Sequence, residues 1–109
     1  MIKYGRFKFT GPNSLRTWQP LKVAGVYAIL ALDKSLNPPF NPIYFGESED
    51  FSERGFLKSH HRFKCWIREA KSLENLFIST HIMPIQEEDE RKAIEAELIK
   101  EYDPACNRE

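Results

Sequence analysis

The sequence predicts an α+β domain, α/β sandwich-like, with elements in the order β-β-α-α-β-α. Three observations carry that prediction. Gly25–Leu32 and Leu76–Ile82 are short runs rich in β-branched and aromatic residues, as buried strands are. Phe63, Trp66, Ile67 and Ala70 recur at helical spacing, and so do Ile94, Leu98, Ile99 and Tyr102. Ile43, Tyr44 and Phe45 resume a strand pattern shortly after Gly25–Leu32, so an antiparallel pair is the simplest connection.

The 109 residues suffice for one domain with one core. An apolar fraction of 41% and a charged fraction of 29% are those of a globular chain rather than a disordered one. Sixteen cations balance sixteen acids, so net charge argues against a simple basic nucleic-acid binder, although clustering matters more than the sum. Cys65 and Cys106 form no CxxC motif and are expected as free thiols in a reducing cytosol. With no leader and no apolar run of spanning length, a cytoplasmic protein without membrane association is expected.

Residues 1–24 read as an irregular arm packed on a domain of residues 25–109. Thr10-Gly11-Pro12-Asn13-Ser14 is turn chemistry, and Phe7-Lys8-Phe9 is at most a short strand. Tyr4, Phe7, Phe9 and Trp18 are its anchors. Lys3, Arg6, Lys8, Arg16 and Lys22, with no acid before Asp33, make it basic enough to face a polyanion, or equally to form a solvated face.

Gly25–Leu32 is apolar on both alternating faces. Residues 33–42, with three prolines, form a loop, and Gly46 closes the second strand. Tyr27 and Tyr44 each point opposite to their neighbours, so a suitable register puts both on one face. Ser48, Glu49 and Asp50 start a helix carrying Phe51, Arg54 and Leu57, weakened at Gly55 and ended near Ser59-His60-His61. A second helix spans about residues 62–72. A third strand, Leu76–Ile82, ends before Pro84. A last helix over about residues 86–102 opens on Glu87, Glu88, Asp89 and Glu90 and stops ahead of Pro104.

That last helix holds an anomaly. At about 100° per residue, Glu95 falls inside its apolar stripe, where a carboxylate must be paired, hydrogen-bonded or neutralised. Arg54 likewise sits between apolar residues of its helix. Read without further context, the two are as well explained by a buried ion pair as by a site.

Taken together, Gly25-Val26-Tyr27, Tyr44-Phe45-Gly46, Arg54, Glu95 before Leu98-Ile99, and Pro104 with Asn107 resemble the GIY-YIG nuclease superfamily over residues 25–107. Val26 and Phe45 replace the isoleucines that name the motif. The resemblance implies a three-stranded antiparallel sheet flanked by helices and a phosphodiester hydrolase using one divalent metal, Mg²⁺ or Mn²⁺. Glu95 would ligate the metal, Arg54 would hold the phosphate, Tyr27 and Tyr44 would flank it, and Asn107 would support the geometry. Gly25 and Gly46 belong to the motif. Several members carry a histidine where this chain has Lys58, with His60 and His61 just beyond.

These residue types suit the chemistry. A carboxylate with water completing the shell suits Mg²⁺, and an arginine fork matches phosphate. A tyrosine acts as a base only if its oxyanion is stabilised; Tyr27 is the first choice and Tyr44 the reverse assignment. As plain structural residues, both tyrosines would pack the sheet and Asn107 would be a turn residue. A zinc site from His60, His61, Cys65 and Cys106 fits no common spacing. The expected function is a DNA endonuclease, with RNA the lesser substrate and a protein partner or homodimer helping to hold DNA. The alternative is a non-catalytic nucleic-acid-binding or protein-interaction module.

Overall fold

A computed structural model describes residues 1–53, 59–85 and 87–108. In it, the strands β1 (Ile2–Tyr4), β2 (Phe7–Ser14), β3 (Gly25–Leu32), β4 (Phe40–Ser48) and β5 (Leu76–Ile82) form one five-stranded sheet in the order β1-β2-β5-β3-β4. All neighbours are antiparallel. Among the described residues there are two α-helices, α1 (Phe63–Ala70) and α2 (Glu88–Tyr102).

The sheet therefore corrects the expected three strands to five. The two extra strands lie in the arm expected to be irregular. Ile2, Tyr4, Phe7 and Phe9 point inward while Lys3 and Lys8 face water, and Gly5-Arg6 links the two strands with Gly5 at φ 57°. That alternation about a short glycine-containing link is a hairpin signal. The Gly11-Pro12 turn chemistry is real but lies inside β2, where the β2–β5 register shifts between Thr10 and Asn13. A bulge uses the same residues as a turn, which is why the two look alike in sequence.

β3 is an interior strand between β5 and β4 and is buried almost throughout, as its two apolar faces require. Its odd-numbered residues Tyr27, Ile29 and Ala31 pack with Trp66, Cys65 and Ala70 of α1. Its even-numbered residues Val26, Ala28 and Leu30 pack with Leu98, Ile94, Ile99 and Tyr102 of α2. β4 is longer than expected because Pro42 is accommodated at a register shift opposite Ile29 and Leu30, on an edge strand that can spare an N–H.

The helix expected from Ser48 is corrected in part. β4 runs through Ser48, and a 3₁₀ turn, Phe51–Glu53, follows. Arg54, Gly55, Leu57 and Lys58 lie outside the described residues. α1 ends on Lys71 in the left-handed region (φ 76°), whose N–H returns to the Ile67 carbonyl. α2 opens on Glu88, Asp89 and Glu90 and closes on Asp103 (φ 44°) ahead of Pro104.

The expected free thiols are also corrected. Cys65 of α1 and Cys106 of the final 3₁₀ turn, Ala105–Asn107, form a disulfide with a Cα–Cα distance of 5.8 Å. Both sulfurs are thereby withdrawn from any zinc site. The spacing of two lone cysteines in sequence carried no hint that α1 and the tail would meet.

Candidate active site

Tyr27 occupies β3 opposite Gly46 of β4. A Cβ at residue 46 would overlap the Tyr27 ring and hydroxyl, so the phenol lies flat on the strand only because that position is glycine. Gly25 has a similar role: a Cβ there would strike the His81 carbonyl of β5. Tyr44 opposes Ile29, which places it on the Tyr27 side of the sheet with ring centroids 6.0 Å apart. The shared face expected for the two tyrosines is present.

His60, just before α1, closes the group. It is 7% exposed, and its Nε2 lies 3.1 Å from Tyr27 Oη. Its other nitrogen, Nδ1, accepts the Arg62 backbone N–H at 3.0 Å. A nitrogen that accepts has no proton, so the neutral ring carries its proton on Nε2 and donates it to the Tyr27 oxygen. Tyr27 is thus an acceptor in this bond, and a donor aimed at a phenolic oxygen favours negative charge there.

The imidazole is held by rings on several sides. It packs against Trp66 at 4.3 Å and Tyr44 at 5.5 Å, and stacks on the exposed His61 at 4.7 Å and 17°. Beside Tyr44 a cavity of about 230 Å³ opens between His61, Arg62, Cys106 and Asn107.

Asn107 pins the tail to β4. Its Oδ1 accepts the Phe45 N–H at 2.8 Å, and its Nδ2 donates to the Phe45 carbonyl at 2.9 Å. The amide therefore mimics one residue of a further strand on the sheet's free edge. Arg62 braces the same tail, donating from Nε to the Cys106 carbonyl and from Nη2 to the Arg108 carbonyl, each at 2.8 Å.

Glu95 is half-buried on α2, one turn after Arg91. The described contacts thus bring together Tyr27, Tyr44, His60, His61 and Asn107, on the α1 side and at the β4 edge. Glu95 belongs to the other layer, on a helix that packs chiefly over β4. Arg54 and Lys58 fall outside the described residues.

No group of three or more His, Cys, Asp or Glu among the described residues could hold a metal ion. The donor set that the sequence offers is the single carboxylate of Glu95. One hard oxygen suits Mg²⁺ or Mn²⁺ keeping most of its water, and it does not suit a caged ion such as structural zinc.

Two features of this region were not foreseen. Arg91 of α2 pairs with Glu47 of β4 at 3.0 Å, with side chains only 7% and 14% exposed. The signal was present, since Arg91 precedes Glu95 by four residues and Leu98 by seven, on the same helical stripe. Arg62 as a tail brace left no signal, because its acceptors are backbone carbonyls forty or more residues away.

Compared with known proteins, the chain matches no family model, no curated protein and no solved structure.

Proposed function

We propose that this chain is a metal-dependent endonuclease of the GIY-YIG type that hydrolyses phosphodiester bonds in DNA. One observation carries the reading: the His60 Nε2–H directed at the oxygen of the buried Tyr27, in an aromatic cluster whose Tyr44 borders a cavity. A buried tyrosine needs some partner for its hydroxyl, and here that partner is a donor aimed at the oxygen. A tyrosine that must hold negative charge needs such a donor.

In this reading Tyr27, as the phenolate stabilised by His60, takes a proton from water. The water oxygen bonds to phosphorus as the ester bond to the leaving oxygen breaks in line, and that oxygen takes a proton from solvent. Tyr44 borders the cavity and orients water or phosphate. Arg54, assigned from the sequence, would grip the phosphoryl oxygens as a fork. Glu95 would hold the divalent ion, which when bound neutralises charge on the phosphate. A substrate reaching both layers would lie along the β4 edge, where α2 and the Asn107 turn meet the same strand.

No described helix is long and apolar enough to cross a membrane. The proposal keeps a cytoplasmic setting, where the Cys106 sulfur is fully buried and Cys65, at a cavity wall, is the side a reductant would reach.

The test is cleavage of plasmid and branched DNA with Mg²⁺ or Mn²⁺, by wild type, Glu95→Ala, Arg54→Ala and Tyr27→Phe. Cleavage by wild type and its loss in all three variants is expected. A wild type that binds these DNAs and cuts none of them would establish the binding-module alternative instead.

A further inference from the structure

The disulfide does more than join two elements: the residues flanking its cysteines form a trough. Lys64 and Arg68, one turn apart on α1, share a face. Arg108 arrives on the tail, and Arg62 and His61 complete a cavity of about 400 Å³ with Cys65 in its wall. Among the described residues, four permanent cations line this cavity and no carboxylate does, in a chain whose net charge is zero. The cavity shares His61 and Arg62 with the smaller one beside Tyr44, so the two adjoin.

From this geometry we infer that the trough between α1 and the C-terminal turn is the track for the DNA backbone leading to Tyr27 and Tyr44. The inference rests on the endonuclease reading and names the surface by which its substrate is held. Successive phosphates present a row of negative charges, and arginine forks and a lysine ammonium along one groove complement that row. Two acids lie at the margins. Glu69 is 3.8 Å from Arg68 and Asp103 is 3.2 Å from Arg108, and both pairs are solvent-exposed. Such pairs hold weakly and exchange for phosphate. Arg62 has a different task here, because its guanidinium already holds the tail carbonyls and so sets the trough's shape.

The N-terminal arm is the rival basic surface, and two of its arginines stand in exposed ion pairs of the same weak kind. Arg6 pairs with Glu97, and Arg16 with Glu74. Lys3 and Lys8 stand opposite each other on β1 and β2 and make a matched control.

The test measures binding of a fluorescein-labelled DNA duplex by anisotropy, in EDTA, across a salt series. The proteins compared are wild type, K64E/R68E/R108E and K3E/K8E. The trough variant is expected to bind about tenfold or more weakly, with a salt slope lower by about two to three. K3E/K8E should stay within about twofold of wild type on the same scale. Far-UV circular dichroism verifies folding, and K64A/R68A replaces the triple variant if that fails to fold. Unchanged affinity in the trough variant, an equal loss in K3E/K8E, or no binding by wild type would overturn the inference. If binding depends on the trough but no DNA is cut with Mg²⁺ or Mn²⁺, the inference stands and the endonuclease reading falls. If DNA is cut and the trough variant binds as wild type, the inference alone falls.

Discussion

The two faces of the sheet are built from the same strands and solve opposite problems. On the α2 face, Tyr4, Phe9, Phe45 and Tyr102 meet as a chain of edge and tilted ring contacts, with centroid distances between 5.5 and 6.3 Å. Charge enters there as the Glu47–Arg91 pair. On the α1 face, Tyr27, Tyr44, His60 and Trp66 also pack ring on ring, but two phenols and an imidazole put polar atoms into the cluster and a cavity opens beside it. Each face leaves one buried aromatic donor unpartnered among the described residues, Tyr4 Oη on the first and Trp66 Nε1 on the second. The first is packed chiefly for stability, although Glu95, the proposed metal ligand, stands on its helix. The other gives up some apolar packing for directed hydrogen bonds and access, as functional sites do.

That contrast can be broken most forcefully at Arg91. Its removal takes away the guanidinium that lies 3.0 Å from a largely buried Glu47 carboxylate, so Arg91→Ala should cost about 3–5 kcal/mol in urea unfolding. The double variant with Glu47→Ala should recover much of that loss. A cost under about 1 kcal/mol would show that the pair is not what joins α2 to β4.

On the other face the staple comes next. The disulfide closes a sequence separation of 41 residues, which on chain-entropy grounds corresponds to about 4 kcal/mol. Cys65→Ser with Cys106→Ser should lower stability by about that amount and by the same amount as full reduction of wild type, read by parallel denaturation curves. Unequal losses would point to strain from the serines rather than to the lost crosslink.

Tyr27→Phe should separate function from stability. Cleavage is expected to fall about a hundredfold, roughly 2.7 kcal/mol in the barrier, with only the cost of one lost buried hydrogen bond, about 1–2 kcal/mol, in stability. Gly46→Ala should lose activity and stability together, because its Cβ displaces the same phenol. A Tyr27→Phe protein that cuts at the wild-type rate would remove the tyrosine from the mechanism.

Asn107→Ala should cost about 2 kcal/mol, the worth of its two bonds to Phe45. Hydrogen exchange at the Phe45 amide should rise first. Protection unchanged at Phe45 would mean that the tail is held by the disulfide and Arg62 alone.

The smallest effect is a pH dependence on the stability face. Burial, with Tyr102 adding to it, raises the Tyr4 hydroxyl well above its ordinary value of 10.0. Between those two values the unfolded chain has released the proton and the folded chain has not. Stability is therefore full below about pH 10 and falls as pH rises beyond it. Tyr4→Phe should flatten that alkaline limb, and an unchanged limb would assign it to other groups.

Much of this was legible in the residues. β3 and β5 declare themselves by composition, α1 and α2 by period, and the shared face of Tyr27 and Tyr44 by the two-residue repeat of a strand. The glycines at 25 and 46 were visible as motif letters, but their reason, room for a carbonyl and for a phenol, needed neighbours from other strands. The hairpin of β1 and β2 was hidden because a bulge and a turn use the same Gly-Pro-Asn vocabulary. Arg91 was readable on the stripe that exposed Glu95, one turn before it, but its partner Glu47 lies on a strand forty-four residues away.

By itself, then, the sequence determined what repeats locally: that β3 and β5 are strands and α1 and α2 helices, which faces of them are apolar, and that Glu95 lies where a leucine is expected. Only the tertiary structure decided what meets across long separations. It brought His60 to Tyr27, Cys65 to Cys106, Asn107 to Phe45 and Glu47 to Arg91. The physical reason is that periodicity reports a side chain's direction relative to its own backbone, whereas a contact depends on where two backbones have been packed.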